Sequence, residues 1–277
     1  MFRKCSKNGR LDAFFLAKEA PFLKKKKDIT VQNDPMTQEP LILAIETSGR
    51  AGSVALAVGA TLLAETAFSG TMKHSSQVFP TITDLLDQFK RKPGQIRQIY
   101  ISVGPGSFTG LRIAVTIAKT MHLANKVKIA GVDTLDAIAA NIDDYTPLDS
   151  QPRRIAVVLD AKRKQFFTAV YEQRQEQWTK TLPDCLMTTD QFRDRCATEP
   201  ISLLGEGLLY YADAFKDPNI EILPESLWTP RAAKVHLLGW KMALKGQFDD
   251  PLTFQPAYLR RPEAEEKWQK RQINKGS

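Results

Sequence analysis

Apolar and polar positions along the chain trace a mixed α/β pattern. Leu41, Ile42, Leu43, Ala44 and Ile45 form an apolar run closed by Glu46, and after Thr47–Gly52 the alternation of Val54, Leu56 and Val58 predicts a second strand of a hairpin. A third strand is expected near Leu62–Phe68, then a helix over Gln77–Phe89 with Val78, Ile82, Leu85, Leu86 and Phe89 on one face. Pro93-Gly94 breaks the pattern, Ile99, Ile101 and Val103 alternate as a half-buried strand, and Leu111, Ala114, Val115, Ala118 and Met121 recur at helical spacing. A strand over Val127–Val132 and a helix from Thr134 to Ile142 complete the first half.

The pattern then restarts. Beyond the polar linker Asp143–Pro152, Ile155–Leu159 form an apolar run closed by Asp160, Ala161–Gln165 form a turn, and Phe167, Ala169 and Tyr171 resume as a strand. Each half therefore holds a strand, an acid, a turn and a second strand, a weak internal repeat that suggests two related lobes across a cleft. A strand at Ile201–Leu204, a Gly205-Glu206-Gly207 turn into a helix through Phe215, and a last helix over Arg231–Lys245 follow. The expected organisation is an extension over 1–39, lobes over 40–143 and 152–230, a helix over 231–247 packing back on the first lobe, and a tail over 248–277.

The densest chemistry lies where strand meets helix, at Val103-Gly104-Pro105-Gly106-Ser107-Phe108-Thr109-Gly110-Leu111-Arg112. Unpaired N–H groups and the positive end of the helix dipole favour an anion at such a place, and Ser107 or Thr109 is a candidate cap. No lysine follows Gly110 as a phosphate loop requires, the third glycine falls one residue late for a dinucleotide fingerprint, and Gly106 directly precedes Ser107, which fails the nucleophile-elbow spacing. Two readings stay open, a tight structural bend and a phosphate or partner site; the absent lysine favours the bend. The helix beyond it is expected to present Val115, Lys119 and His122 to a partner.

Charge narrows the picture. The net charge is +8 over 277 residues, yet residues 1–35 carry nine Lys or Arg against four Asp or Glu, so the remainder is only mildly basic at +3. Lys24-Lys25-Lys26-Lys27 reads as a solvated tail. No apolar window is long enough for a spanning helix and no convincing signal h-region is present, so a cytoplasmic, membrane-free protein is expected. Cys5, Cys185 and Cys196 form no C-x-x-C pair, which argues for reduced structural thiols. His74, His122 and His236 lie far apart with no zinc-binding spacing, so no metal site and no metallopeptidase chemistry are expected.

Glu46 and Asp160 are the paired-carboxylate candidates, each ending a strand; the competing reading for each is a bond to its own turn. A nucleotide-cleaving site needs glycines in both phosphate-gripping turns. Thr47–Gly52 has two, whereas Ala161-Lys162-Arg163-Lys164-Gln165 has none and is crowded with cations that either remain solvated or pair with phosphate.

Over residues 41–260 the chain resembles the bacterial TsaB (YeaZ) family. The resemblance is carried by Leu43-Ala44-Ile45-Glu46-Thr47-Ser48, Ser53-Val54-Ala55-Leu56, His74 with Pro80, Gly104 through Ile113, Gly131-Val132 with Thr134-Leu135, Asp160-Ala161, and Pro256-Ala257-Tyr258-Leu259-Arg260. It implies a two-lobed α/β fold of the actin, hexokinase and Hsp70 ATPase type, with duplicated mixed-sheet lobes. It further implies a subunit without catalytic residues of its own, partnered by the catalytic paralogue TsaD and the ATPase TsaE, with a homodimer as a second assembly. That complex makes threonylcarbamoyladenosine in tRNAs reading codons that begin with A, and tRNA is met through the complex. First-lobe helices, here near 77–89 and 109–124, build the interface.

By the same resemblance, a vestigial nucleotide cleft involves Glu46, Thr47, Ser48, Gly104, Gly106, Ser107 and Asp160, with no required cofactor and weak ATP, ADP and Mg²⁺ binding at a subunit interface. Two departures argue against hydrolysis. Family members often have glycine where Lys164 stands and glutamate where Gln165 stands, and often aspartate, one methylene shorter, in place of Glu46. The enzyme alternative is a stand-alone ATPase or phosphotransferase of the same fold; direct tRNA binding through Lys24–Lys27 and Arg260–Arg271 is a third class. Met36 lies five residues before the first strand, so residues 1–35 are expected to be an artefact of an upstream start codon. Peptides from the Lys24 region in protein purified from its native cells would refute that.

Overall fold

Strand β1 (Leu41–Glu46) is buried along its whole length, as a central strand with both faces covered must be. It pairs antiparallel with β2 (Ala51–Val58), which pairs with β3 (Thr61–Ser69). On its other edge it runs parallel to β4 (Ile96–Gly104), which lies parallel to β5 (Lys128–Asp133). The computed structural model describes residues 39–69, 74–147 and 152–260. The terminal extensions, with Lys24–Lys27 and the residues beyond Arg260, lie outside them.

The second lobe repeats this topology. Strand β6 (Arg154–Asp160) pairs antiparallel with β7 (Phe166–Arg174), which pairs with β8 (Gln177–Met187). On its other side β6 runs parallel to β9 (Ile201–Leu204), and β9 to β10 (Ile220–Ile222). Among the described residues the sheet orders are β3-β2-β1-β4-β5 and, read in the matching direction, β8-β7-β6-β9-β10. The lobes are therefore structural copies, with β1 answering to β6 and β4 to β9.

Helices close both faces of the first sheet. Val78, Leu85 and Leu86 of α1 (His74–Gln88) and Ala114, Ile117 and Ala118 of α2 (Phe108–Asn125) bury the face made by Leu43, Ile45, Val54 and Leu56. The opposite face, with Ile42, Ala44, Ala55 and Tyr100, receives Ala137 of α3 (Thr134–Ala139) and Ala232 and Val235 of α6 (Ala232–Leu244). On its other side α3 gives Leu135 and Ile138 to the second sheet, so this one short helix is core to both lobes. The far face of the second sheet is closed by α4 (Thr189–Cys196), through Phe192 and Cys196, and by Leu208 of α5 (Leu208–Tyr211).

Several elements depart from the sequence reading. The helix expected through Phe215 is one turn, Leu208–Tyr211, followed by a 3₁₀ turn, and that expected to Ile142 stops at Ala139 before another. Strand β8, helix α4 and strand β10 were not anticipated. The helix α2 expected to display Val115 instead buries it in the core, Lys119 reaches the Leu252 carbonyl, and His122 Nδ1 lies 2.9 Å from the Val127 carbonyl where the helix ends.

One helix glycine is forced by proximity and another glycine is not. A Cβ on Gly110 would stand 1.8 Å from the Thr47 carbonyl oxygen, whereas at Gly94 nothing lies within 4 Å. Gly110→Ala is therefore expected to destabilise the protein by about 3 kcal/mol although alanine is the better helix former. Gly94→Ala should stay within about 0.5 kcal/mol of the parent, both variants being compared with it by urea titration.

Candidate functional site

The residues singled out in the first lobe do meet in space. The glycine turn sits directly on the β1–β2 turn. The Ser107 N–H donates to the Ser48 carbonyl at 2.8 Å, the Thr47 hydroxyl donates to the Gly110 carbonyl at 2.8 Å, and Ser107 Oγ caps α2 by accepting from the Gly110 N–H. A Cβ on Gly106 would meet Ser48 at 2.7 Å, and one on Gly104, whose φ is +123°, would meet the Ala257 carbonyl at 2.7 Å. The space that a phosphate would need over these glycines is filled by the protein's own backbone.

Glu46 is turned inward and fully buried. Its Oε1 accepts from the Ser48 N–H and hydroxyl, each at 2.5 Å, and its Oε2 accepts from the Ser102 hydroxyl. Burial pushes its pKa up; the serine donors oppose this without cancelling it. It thus bonds residues of its own turn and of neighbouring β4 and does not project into an open cleft.

Asp160 bonds its own turn as well, taking the Lys162 N–H at 2.8 Å, the Lys162 ammonium at 2.6 Å and the Tyr211 hydroxyl at 3.1 Å. Burial pulls its pKa upward, but these three donors outweigh it and the net shift is down. Tyr211 in turn is pushed up to about 12 by burial and by that carboxylate. The following turn has left-handed backbone at Lys162, Arg163 and Lys164, with φ of 62°, 57° and 60°. Each costs about 1 kcal/mol for a residue with a Cβ, and glycine would hold the same angles with less strain.

Sequence reasoning missed Glu206. It stands between Gly205, φ +120°, and Gly207, at the position in the second lobe that Pro105 holds between Gly104 and Gly106 in the first. The signal was available, since a Gly-x-Gly follows the fourth strand of each lobe. Glu206 is 7% exposed; Oε2 accepts from the Arg50 N–H at 2.9 Å and Oε1 from the Thr229 hydroxyl at 3.1 Å, so one carboxylate ties the β1–β2 turn of one lobe to the glycine turn of the other. Burial raises its pKa against the Arg50 and Thr229 donors.

Away from the mouth, Asp133, Asp136 and Asp184 form one carboxylate cluster whose oxygens lie within 4.8 Å of one another. The Lys180 ammonium stands among them, 2.7 Å from Asp136 and Asp184 and 3.4 Å from Asp133, so the cluster already holds its cation. Cys185 and Cys196 are free thiols with raised pKa values, chiefly through burial. Among the described residues no helix is long and apolar enough to cross a membrane.

A Mg²⁺–nucleotide pair does not fit this arrangement. Both Glu46 oxygens are occupied by serine donors, Ser48 fills the space over Gly106, and the second turn carries cationic side chains where bound phosphate would need close backbone approach.

A duplicated five-stranded sheet with the 3-2-1-4-5 order, each copy carrying an acid-ended first strand, places the protein in the actin-like class of two-lobed α/β folds. Residues 61–268 match the family described as TsaD: tRNA N6-adenosine threonylcarbamoyltransferase. The chain is 30% identical over 236 residues to the tRNA threonylcarbamoyladenosine biosynthesis protein TsaB of Bacillus subtilis, covering 82% of this chain and 97% of that protein. It is 26% identical to the Escherichia coli protein of the same description, covering 79% and 94%. YeaZ from Pseudomonas aeruginosa shares the fold with a TM-score of 0.68 at 21% identity, covering 79% of this chain and all of that one. The chain belongs to the TsaB (YeaZ) family.

The buried Glu46 carboxyl sets a pH dependence. Because its folded pKa is raised, the stability tied to it is fully present below the unfolded carboxylate pKa and is lost as pH rises through the folded value. Glu46→Gln keeps an acceptor for Ser48 and an N–H₂ for Ser102. It should gain about 1 kcal/mol, roughly 3 °C, over the parent at about pH 8, and the gain should shrink towards about pH 4 in thermal melts.

Proposed function

We propose that this protein is a non-catalytic subunit in the synthesis of threonylcarbamoyladenosine in tRNA, and that it binds and activates the catalytic paralogue TsaD, with the ATPase TsaE joining the complex. Family membership supports the pathway. The subunit role is carried by one observation, the unpartnered apolar residues on the outer helices of the first lobe: Phe79 on α1 is 59% exposed and Leu123 on α2 is 72% exposed. In this reading those two side chains are the ones that a protein partner covers. The same helices are the surface through which a homodimer forms when the paralogue is absent.

The cleft supports the non-catalytic part. Its carboxylates are bonded internally, and no nucleotide-dependent step is assigned to this chain alone. Weak ATP or ADP binding with Mg²⁺ belongs to the interface with the partner, tRNA is engaged through the assembly, and the protein works in the cytoplasm with its thiols reduced. The test is reconstitution of tRNA modification from the purified paralogue, the ATPase and this chain. Phe79→Asp together with Leu123→Asp should weaken capture of the paralogue by at least about tenfold and depress modification in parallel, while the melting transition stays near that of the parent because both residues are exposed. Equal modification in a mixture lacking this chain would end the proposal.

A further inference from the structure

A band of cations and aromatic rings, exposed except for the half-buried Phe108 and Arg260, crosses the mouth between the two lobes, and its members touch one another in sequence. On the first lobe the Arg112 guanidinium lies 3.7 Å over the Phe108 ring, Phe108 packs against Tyr258 with centroids 5.2 Å apart, and Arg112 Nε donates to the Tyr258 hydroxyl at 3.3 Å. Two residues on, within about 7 Å of chain, the Arg260 guanidinium donates to the Ala161 carbonyl at 2.7 Å and so reaches the β6–β7 turn. There the Lys162 ammonium stands 5.2 Å over the Tyr210 ring, and the Tyr210 hydroxyl accepts from Arg50 at 3.1 Å. Tyr210 is 57% exposed and Tyr258 40% exposed.

The charge of the band that faces water is positive. Arg50, Arg112, Lys162, Arg163 and Lys164 are exposed, whereas Glu206 is buried beneath Arg50 and Asp160 is spent on Lys162 and Tyr211. The turn that carries three of those cations holds left-handed angles that glycine would adopt with less strain, so the side chains stand there against the backbone's preference. Alternating guanidinium planes, ammonium groups and open aromatic faces are the features that bind an RNA strand, cations taking the phosphates and rings stacking on unpaired bases. An acidic protein partner would use the cations but would leave the ring faces without a role.

We propose that this band contacts the RNA substrate directly, gripping the backbone of a single-stranded loop with Arg50, Arg112 and Lys164 and stacking a base on Tyr210. The inference rests on the reading of this protein as part of a tRNA-modifying assembly and adds direct RNA contact to it; on α2 the band uses Phe108 and Arg112 in the first turns, about 16 Å along the helix from the Leu123 that would face the protein partner.

The test uses the full chain, alone and with the catalytic paralogue, and an unmodified transcript of a tRNA that reads a codon beginning with A. Fluorescence anisotropy over a salt series gives the affinity and its salt slope. Arg50→Glu combined with Lys164→Glu should weaken binding by about tenfold or more and flatten the slope of log affinity against log salt by about 1 to 2. Tyr210→Ala should weaken it about fivefold while Tyr210→Phe keeps the stacking face and stays close to wild type. Lys216→Glu, on the exposed pair with Asp213, is the charge control and should change little. Thermal melts confirm folding of each variant.

Unchanged RNA binding in the double and Tyr210→Ala variants would overturn the proposal. So would loss of paralogue capture with RNA binding intact, which would mark the band as a protein-docking face. Modification that proceeds without this chain, alongside RNA binding that still depends on Arg50, Lys164 and Tyr210, would sink the functional reading and leave the RNA surface standing.

Discussion

The contact on which the first lobe depends is the approach of the first turn of α2 to the Thr47 carbonyl. No side chain can stand at Gly110 while that carbonyl is where it is, and the Thr47 hydroxyl bonds the Gly110 carbonyl in return. The contact fixes the β1–β2 turn against the helix entry. Ser48 then covers Gly106, Ser107 donates to Ser48 while capping the helix, and Glu46 is closed in beneath serines from its own turn and from β4. The glycines that identify the family thus serve close backbone packing, and the chemistry that such a turn supports elsewhere has no room.

The second lobe solves the same problem differently. Gly205 and Gly207 lie over Val158, where a Cβ would meet the carbonyl at 2.4 Å and 2.8 Å, so the turn after the fourth strand again rides on the acid-ended strand. Between them stands a glutamate that reaches across to Arg50, and the two lobes are thereby joined at their turns as well as through α3. A fold of this class has its cleft where these turns face one another. Here a buried carboxylate and its backbone donor stand in that place, which favours a fixed relation between lobes over an opening and closing one.

Much of this was legible from the chain. The β1–β2 hairpin, the strand-to-helix glycine turn and the echo of Leu41–Glu46 in Ile155–Asp160 follow from alternation, helical spacing and punctuation by glycine. Strand β8 was not visible because it is an edge strand of largely half-exposed residues, interrupted by Pro183, with few apolar side chains to show a period. Helix α4 buries only Phe192 and Cys196 and is announced mainly by the Thr188–Gln191 capping box. Val115 was placed on a partner-facing stripe because period alone does not tell which side of a two-faced helix meets the sheet. The inward aim of Glu46 and the reach of Glu206 to the other lobe depend on residues far away in sequence, Ser102 and Arg50, and no local pattern encodes them.

The cleft is filled by the protein's own turns, and we propose that the chain acts through its surfaces. Mg²⁺-dependent ATP turnover by the purified full-length chain, freed of partners and compared with Glu46→Ala and Asp160→Ala, tests this most directly. No turnover above background is expected in any of the three. Turnover in the parent that either substitution abolishes would contradict this and restore the cleft as an active site.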